Sequence, residues 1–284
     1  MNISICGASG FVGTRLREYL ADSGHKVVEI NRSTLEYSQA LREIVNTSHV
    51  VINLAGATIS KRWTSRYKKE ILDSRINSTK AIVDAINSST HPLTFICASA
   101  VGIYNDEGMH NEDSTDYGDS FLAQVCVKWE TEAQRVRDGV RGVITRFGVV
   151  LAPNGGVIKQ LLPMIRRGFG VIFGSGKVPL SWIGREDLMR AIRFIIENPR
   201  LRGIINLTAP ECSSQLEFTT QLLHSYYSRM PVVYLPPFLP KLILGERSQL
   251  ILRGQCAVPR RLVEAGFQFR TPKLDQYFAN NAKI

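Results

Sequence analysis

A glycine-punctuated turn near the amino terminus, Gly7-Ala8-Ser9-Gly10-Phe11-Val12-Gly13, restricts this chain more than any other stretch. It follows Asn2-Ile3-Ser4-Ile5-Cys6, a short apolar run that reads as a buried strand. It opens onto residues 14–23, which read as a helix with Leu16, Tyr19 and Leu20 on one face. Gly24-His25 closes that helix, and Lys26-Val27-Val28-Glu29-Ile30 reads as a second strand. Strand, glycine turn, helix and strand within about thirty residues form a βαβ unit, the setting in which such glycines hold a dinucleotide. A pyrophosphate needs backbone N–H groups aimed at it and no Cβ in the way. Gly7 is expected to allow the tight turn, Gly10 to let the backbone approach the phosphates, and Gly13 to let the helix pack on the strand. The helix N-terminus adds partial positive charge and free N–H donors. Gly7, Ser9, Gly10, Phe11, Val12 and Gly13 are therefore the expected cradle.

The alternation continues along the chain. Residues 49–55, 94–99, 141–150 and 203–207 are apolar runs of strand length, and residues 67–87, 121–137 and 187–197 read as helices. Continuous apolar strands separated by helices argue for a parallel sheet covered on both faces. The expected fold is α/β: a Rossmann-like, doubly wound parallel sheet with a smaller carboxyl-terminal substrate lobe. Residues 1–150 form the dinucleotide-binding domain, with 186–209 returning to it. Residues 151–284, mainly 151–185 and 210–284, form a mostly helical cap over the carboxyl ends of the strands. Asn154-Gly155-Gly156 and Gly174-Ser175-Gly176 mark loops in it. Residues 231–245 are apolar but broken by Pro236, Pro237 and Pro240, and read as a packed turn leading into a short helix.

A net charge of +10 raises nucleic acid as a partner. The densest basic group, Lys61, Arg62, Arg66, Lys68 and Lys69, carries no DNA-binding motif, and the other cations are dispersed. The charge is read as attraction for an anionic cofactor and substrate, over an ordinary solvated surface. Five scattered cysteines without a CxxC indicate neither a disulfide framework nor a zinc site, so a reducing cytoplasm is expected. With strand residues from position 2, no signal peptide is expected, and no apolar run reaches the eighteen or so residues of a membrane span.

The second strand is followed by Asn31-Arg32-Ser33 rather than by the acid that usually bonds an NAD ribose. A guanidinium there suits a 2′-phosphate, which it holds by charge-assisted, bidentate bonds. NADP(H) is therefore the expected cofactor. Glu29 does not overturn this, since it lies within the strand rather than at its tip.

Further motifs carry a family resemblance. The glycine loop, Asn53-Leu54-Ala55-Gly56 after the third strand and Ser99 in Cys97-Ala98-Ser99-Ala100 resemble extended short-chain dehydrogenases/reductases. Lys61-Arg62-Trp63-Thr64, Asp73-Ser74-Arg75-Ile76, Phe121-Leu122-Ala123 with Trp129-Glu130, Ser181-Trp182-Ile183 and Glu264-Ala265-Gly266-Phe267 narrow it to the atypical, epimerase-like branch. The resemblance implies a Rossmann-like fold, bound NADP(H), Leu54, Ala55 and Gly56 along the cofactor and Arg32 near its 2′-phosphate. Arg75, with Glu70 five residues earlier, is placed in the cofactor region; the alternative for Glu70 is a solvated helix position.

One departure matters for chemistry. Typical members use a Tyr as general acid/base and a Lys four residues later, on the same helix face, with a Glu eight positions after the Tyr. Counting back from Glu130 puts Leu122 and Cys126 in those places. Neither supplies the function, and Lys128 is turned about 200° away. Ser99 remains as a catalytic or nicotinamide-contacting residue, and Tyr104 is a substitute acid/base, with packing as its alternative. Cys126 is either reactive or a buried, inert thiol. Arg146, Gly148, Lys177, Ser181 and Trp182 are expected around the substrate. Two functions stand open: an NADP(H)-dependent, epimerase-like oxidoreductase acting on a small polar molecule such as a nucleotide sugar, and a noncatalytic NADP(H)-binding redox sensor. A homodimer through helices flanking the sheet is compatible with either.

Overall fold

The structure is a computed structural model that describes residues 1–153, 155–227 and 231–281. Four strands open the fold: β1 (Asn2–Cys6), β2 (Lys26–Ile30), β3 (Val50–Asn53) and β4 (Thr94–Ala100). Arg141–Phe147 and Gly203–Leu207 complete a six-stranded parallel sheet, in the order Gly203–Leu207, Arg141–Phe147, β4, β3, β1, β2. β1 sits between its two neighbours, with Ile5 opposite both Glu29 and Ile52. The chain runs from β1 outward to β2, then returns past β1 to β3. That reversal leaves a crevice at the carboxyl ends of β1 and β3, where ligands of such sheets bind. All four residues of β3 are buried, as are Ile3 to Cys6 of β1. Burial on both faces explains why these strands read as unbroken apolar runs.

The first helices are α1 (Phe11–Asp22), α2 (Arg32–Glu36), α3 (Ser38–Thr47), α4 (Ser65–Asn87) and α5 (Phe121–Ala133). Thr64 caps α4 by accepting the Tyr67 N–H, and Ser120 caps α5 by accepting the Ala123 N–H, each at 3.1 Å. α2 and α3 fill the β2–β3 connection, for which the sequence reading specified no helix. Leu41 and Val45, four residues apart, are what α3 buries. The expected strand over 141–150 divides at Gly148. A Cβ there would lie 2.8 Å from the Ser181 carbonyl oxygen, so the chain passes close by. Beyond it, Val149–Ala152 leaves the central sheet and pairs in parallel with Trp182–Gly184.

The chain forms two compact units: Met1–Ile103 with Asp119–Arg146 and Met189–Ile205, and Tyr104–Gly118 with Phe147–Leu188 and the residues from Asn206 onward. The second unit has its own core, including Leu151, Ile158, Trp182, Phe218, Leu222 and Tyr277. In it, Gly155-Gly156 leads straight into the helix Gly156–Ile165, while Asn154 lies outside the described residues. Gly174-Ser175-Gly176 is a turn after the strand Gly170–Phe173. The proline-broken segment forms the strand Val232–Leu235, paired in parallel with Gly170–Phe173, and then the helix Phe238–Leu244.

Candidate dinucleotide-binding site

The chain leaves β1 through Gly7 at φ +81°, in the left-handed region that favours glycine. A Cβ on Gly7 would sit 2.9 Å from the Ala55 nitrogen, so the ends of β1 and β3 touch through this residue. The Gly10 N–H donates to the Gly7 carbonyl at 3.0 Å and closes the turn. Gly10 is the N-cap of α1 and no side chain caps it. A Cβ on Gly13 would fall 2.1 Å from the Gly7 oxygen, so α1 lies directly against the loop. Ser9 and Phe11 are exposed and Val12 half-buried. This leaves the start of a helix without a side-chain cap at the sheet's reversal point.

Cys6 aligns with Ile30, which brings the tip of β2 alongside the glycine loop. Asn31 caps α2: its Oδ1 accepts from the Thr34 N–H and Oγ1 at 2.9 Å and from Ser33 Oγ at 2.6 Å. Arg32, the first residue of α2, is exposed and makes no ion pair among the described residues. Glu29 is already neutralised by Arg17.

At the end of β3, fully buried Asn53 donates to Thr79 Oγ1 at 2.9 Å and accepts the Ala55 N–H at 3.1 Å, which fixes the Leu54-Ala55-Gly56 turn. Thr79 also accepts the Trp129 indole N–H at 2.9 Å. Arg75 lies 5.2 Å from the Trp129 ring centroid and donates to the carbonyls of Ile71 and Ala57. Burial pulls its pKa below the usual arginine value. A Cβ on Gly56 would be 2.9 Å from the Arg75 guanidinium carbon, so Arg75 backs the turn. Glu70 is exposed on α4. Of the basic group, Lys61 and Lys68 lie over the Tyr67 and Phe121 rings.

Ser99, at the end of β4, is buried and donates its hydroxyl proton to Glu130 Oε1 at 2.6 Å. Arg146 grips the same carboxylate, Nε to Oε1 at 2.8 Å and Nη2 to Oε2 at 2.7 Å. Arg146 has no exposed surface, so the expected pocket cation is enclosed in a buried ion pair instead. Leu122 packs with Trp63, Tyr67, Ile71 and Val125, and Lys128 is exposed. Burial, then the Glu130 charge, pushes the Cys126 thiol up to about 11, which is the inert reading.

In the second unit, the expected acid/base Tyr104 is buried. Its hydroxyl lies 2.9 Å from the Asn111 carbonyl and 3.0 Å from Asn206 Oδ1, and its ring stacks on His110 at 4.8 Å. That hydroxyl is occupied in holding loops together. Ser181 and Trp182 are likewise core: Ser181 Oγ donates to the Gln255 carbonyl at 2.7 Å, and the Trp182 indole donates to Ser213 Oγ at 3.1 Å. Lys177 alone of the expected substrate residues is exposed. It follows the turn that borders a cavity of about 390 Å³, whose lining includes Phe173, Ser175, Pro237, Lys241, Ser248 and Leu252. Sequence reasoning missed Asp187, which is buried and accepts the Arg270 and Thr271 N–H groups and the Thr271 hydroxyl. It also missed the roles of Asn53, Thr79 and Glu130; the one available signal was a polar residue in an otherwise apolar strand or helix face.

A parallel sheet that reverses at a glycine-bounded helix start, with Leu122 and Cys126 where a Tyr–Lys pair would stand, defines an atypical member of the extended short-chain dehydrogenases/reductases. Comparison with known proteins makes the assignment narrower. Residues 3–207 match the NAD dependent epimerase/dehydratase family, and the chain belongs to it; residues 235–280 match a domain of unknown function. The epimerase family protein SDR39U1 homolog, chloroplastic, of Arabidopsis thaliana is 36% identical over 291 residues, covering 95% of this chain and 83% of that protein. The epimerase family protein YfhF of Bacillus subtilis is 36% identical over 292 residues, 97% of this chain and 96% of the other. The crystal structure of human epimerase family protein SDR39U1 (isoform2) with NADPH superposes with a TM-score of 0.89 at 28% identity, covering 100% of this chain and 99% of that one. No helix among the described residues is long and apolar enough to cross a membrane.

Proposed function

We propose that this chain binds NADP(H) along the β1–α1 loop and acts as an epimerase-like oxidoreductase on a small polar substrate, in the reducing cytoplasm that its free cysteines suit. The observation that carries this is the cradle, in which a side chain at Gly7 or Gly13 would collide with backbone. Support comes also from the human relative, which is described with NADPH. When bound, the nicotinamide supplies or accepts a hydride. The Gly7–Gly13 backbone and the α1 N-terminus would hold the pyrophosphate, Arg32 the 2′-phosphate, and Leu54-Ala55-Gly56 the span between, kept in place by Asn53 and Arg75. With Leu122 and Cys126 in place of a proton-transferring pair, the substrate's proton would come from solvent.

A second reading is favoured by one observation. The Ser99 proton is donated to Glu130, so the serine offers no donor to a substrate carbonyl. That suits a noncatalytic NADP(H) sensor. Calorimetric titration of wild type and Arg32→Ala with NADPH and NADH tests the shared claim. Arg32→Ala should lose about 10- to 100-fold in NADPH affinity and leave NADH unchanged, as expected for a charge-assisted contact. No heat with either coenzyme on folded protein would sink both readings. Equal wild-type affinity for the two coenzymes would remove only the role of Arg32. A metabolite panel then separates them: substrate-dependent loss of nicotinamide absorbance supports the enzyme, and tight binding without turnover supports the sensor.

A further inference from the structure

Cys212 and Cys256 lie far apart in sequence and the fold brings them together. The strand Ser213–Ser214 pairs antiparallel with Pro179–Leu180, Ser213 opposite Leu180, so Cys212 falls beside Ser181. Ser181 Oγ donates to the Gln255 carbonyl and accepts the Ala257 N–H, both at 2.7 Å, and so brackets Cys256. Both cysteines therefore neighbour this one serine side chain. Both are half-buried, whereas Cys6, Cys97 and Cys126 are buried. Its neighbour Cys256, then burial, pushes the Cys212 thiol up, while the neighbouring Cys212 draws Cys256 below the usual thiol value. Burial takes Cys6 and Cys97 up to about 12. Two half-exposed thiols side by side, one of them with a lowered pKa, are the arrangement of an oxidisable pair; a buried thiol held protonated is not.

We propose that Cys212 and Cys256 are a peroxide-sensitive dithiol that closes to an intrachain disulfide. The Cys256 thiolate sulfur attacks one oxygen of hydrogen peroxide. An S–O bond forms, the O–O bond breaks, and hydroxide leaves, giving a sulfenic acid. Cys212 Sγ then attacks that sulfur; the S–S bond forms, the S–O bond breaks, and the departing hydroxide takes the Cys212 proton. Two thiols lose two protons and two electrons, and one peroxide becomes two waters. A thiol reductant reverses the change. The new bond would tether the segment that carries Val232–Leu235 and Phe238–Leu244, which borders the 390 Å³ cavity through Pro237 and Lys241. Nothing in this depends on the coenzyme.

The test uses the reduced full chain, hydrogen peroxide, an N-ethylmaleimide quench and peptide mass mapping. The expected result is loss of two hydrogens and a linked Cys212–Cys256 peptide pair that dithiothreitol separates. In Cys212→Ser, dimedone should trap a sulfenic acid on Cys256; in Cys256→Ser, oxidation of Cys212 should be at least about tenfold slower. Wild-type protein in which both thiols are still alkylated after peroxide treatment, or are linked only between chains, overturns the proposal. So does oxidation of Cys212 in Cys256→Ser at the wild-type rate.

Discussion

Replacing Glu130 by Leu should expose how much of the first unit rests on one carboxylate. Three hydrogen bonds converge on it, from Ser99 Oγ at 2.6 Å and from Arg146 Nε and Nη2 at 2.8 and 2.7 Å. Leucine is close to glutamate in volume, so the cavity left behind is small and the loss is mainly electrostatic. Removing one member of a buried pair costs about 3–5 kcal/mol, because the other charge stays in the protein without a counter-ion. Arg146, with no exposed surface, cannot reach water without local unfolding. Stranding the Ser99 hydroxyl adds about 1 kcal/mol. Unfolding entropy is about 2.1 cal/mol/K per residue, or about 0.6 kcal/mol/K for 284 residues unfolding together. The melting temperature should therefore fall by about 7–10 °C in scanning calorimetry. The double variant Glu130→Leu/Arg146→Met removes the stranded charge and should regain most of that loss. A single variant melting within about 2 °C of wild type, or a double variant melting as low as the single, would refute the reasoning.

Two more outcomes follow from buried groups and close contacts. Glu112 is 3% exposed; its Oε1 accepts the Asn206 and Arg261 N–H groups, while its Oε2 has no hydrogen-bond partner among the described residues. Burial holds its carboxyl above the usual value, so the folded state binds the proton more tightly than the unfolded chain. Stability is thus lost as pH rises through that range, and Glu112→Gln should raise the melting temperature at neutral and alkaline pH with little gain below about pH 4; an equal gain at both would contradict this. Gly13→Ala brings a Cβ to 2.1 Å from the Gly7 oxygen, where about 3.4 Å is ordinary contact, so α1 must retreat from the loop. A stability loss of about 1–3 kcal/mol in urea titration is expected. NADPH affinity should fall at least about tenfold, and wild-type affinity would show that the helix start does not hold the phosphates.

By itself the sequence determined the local elements. The bounds of β1, β2 and Gly203–Leu207 were readable residue for residue, because apolar runs and glycine punctuation are properties of short stretches. The Gly7–Gly13 loop was legible for the same reason, since a missing Cβ tells of a close approach whatever approaches it. Tertiary structure decided what each polar side chain does. Arg146 reads as a pocket cation until α5 lays Glu130 against it, and Tyr104 reads as a loop acid until Asn111 and Asn206 occupy its hydroxyl. Gly148 breaks a strand only because Ser181 lies against it, and Cys212 and Cys256 become neighbours of one residue only through Ser181. A charge or a proton donor has its role set by its partner, and in this chain those partners come from distant segments that no spacing along the sequence reveals.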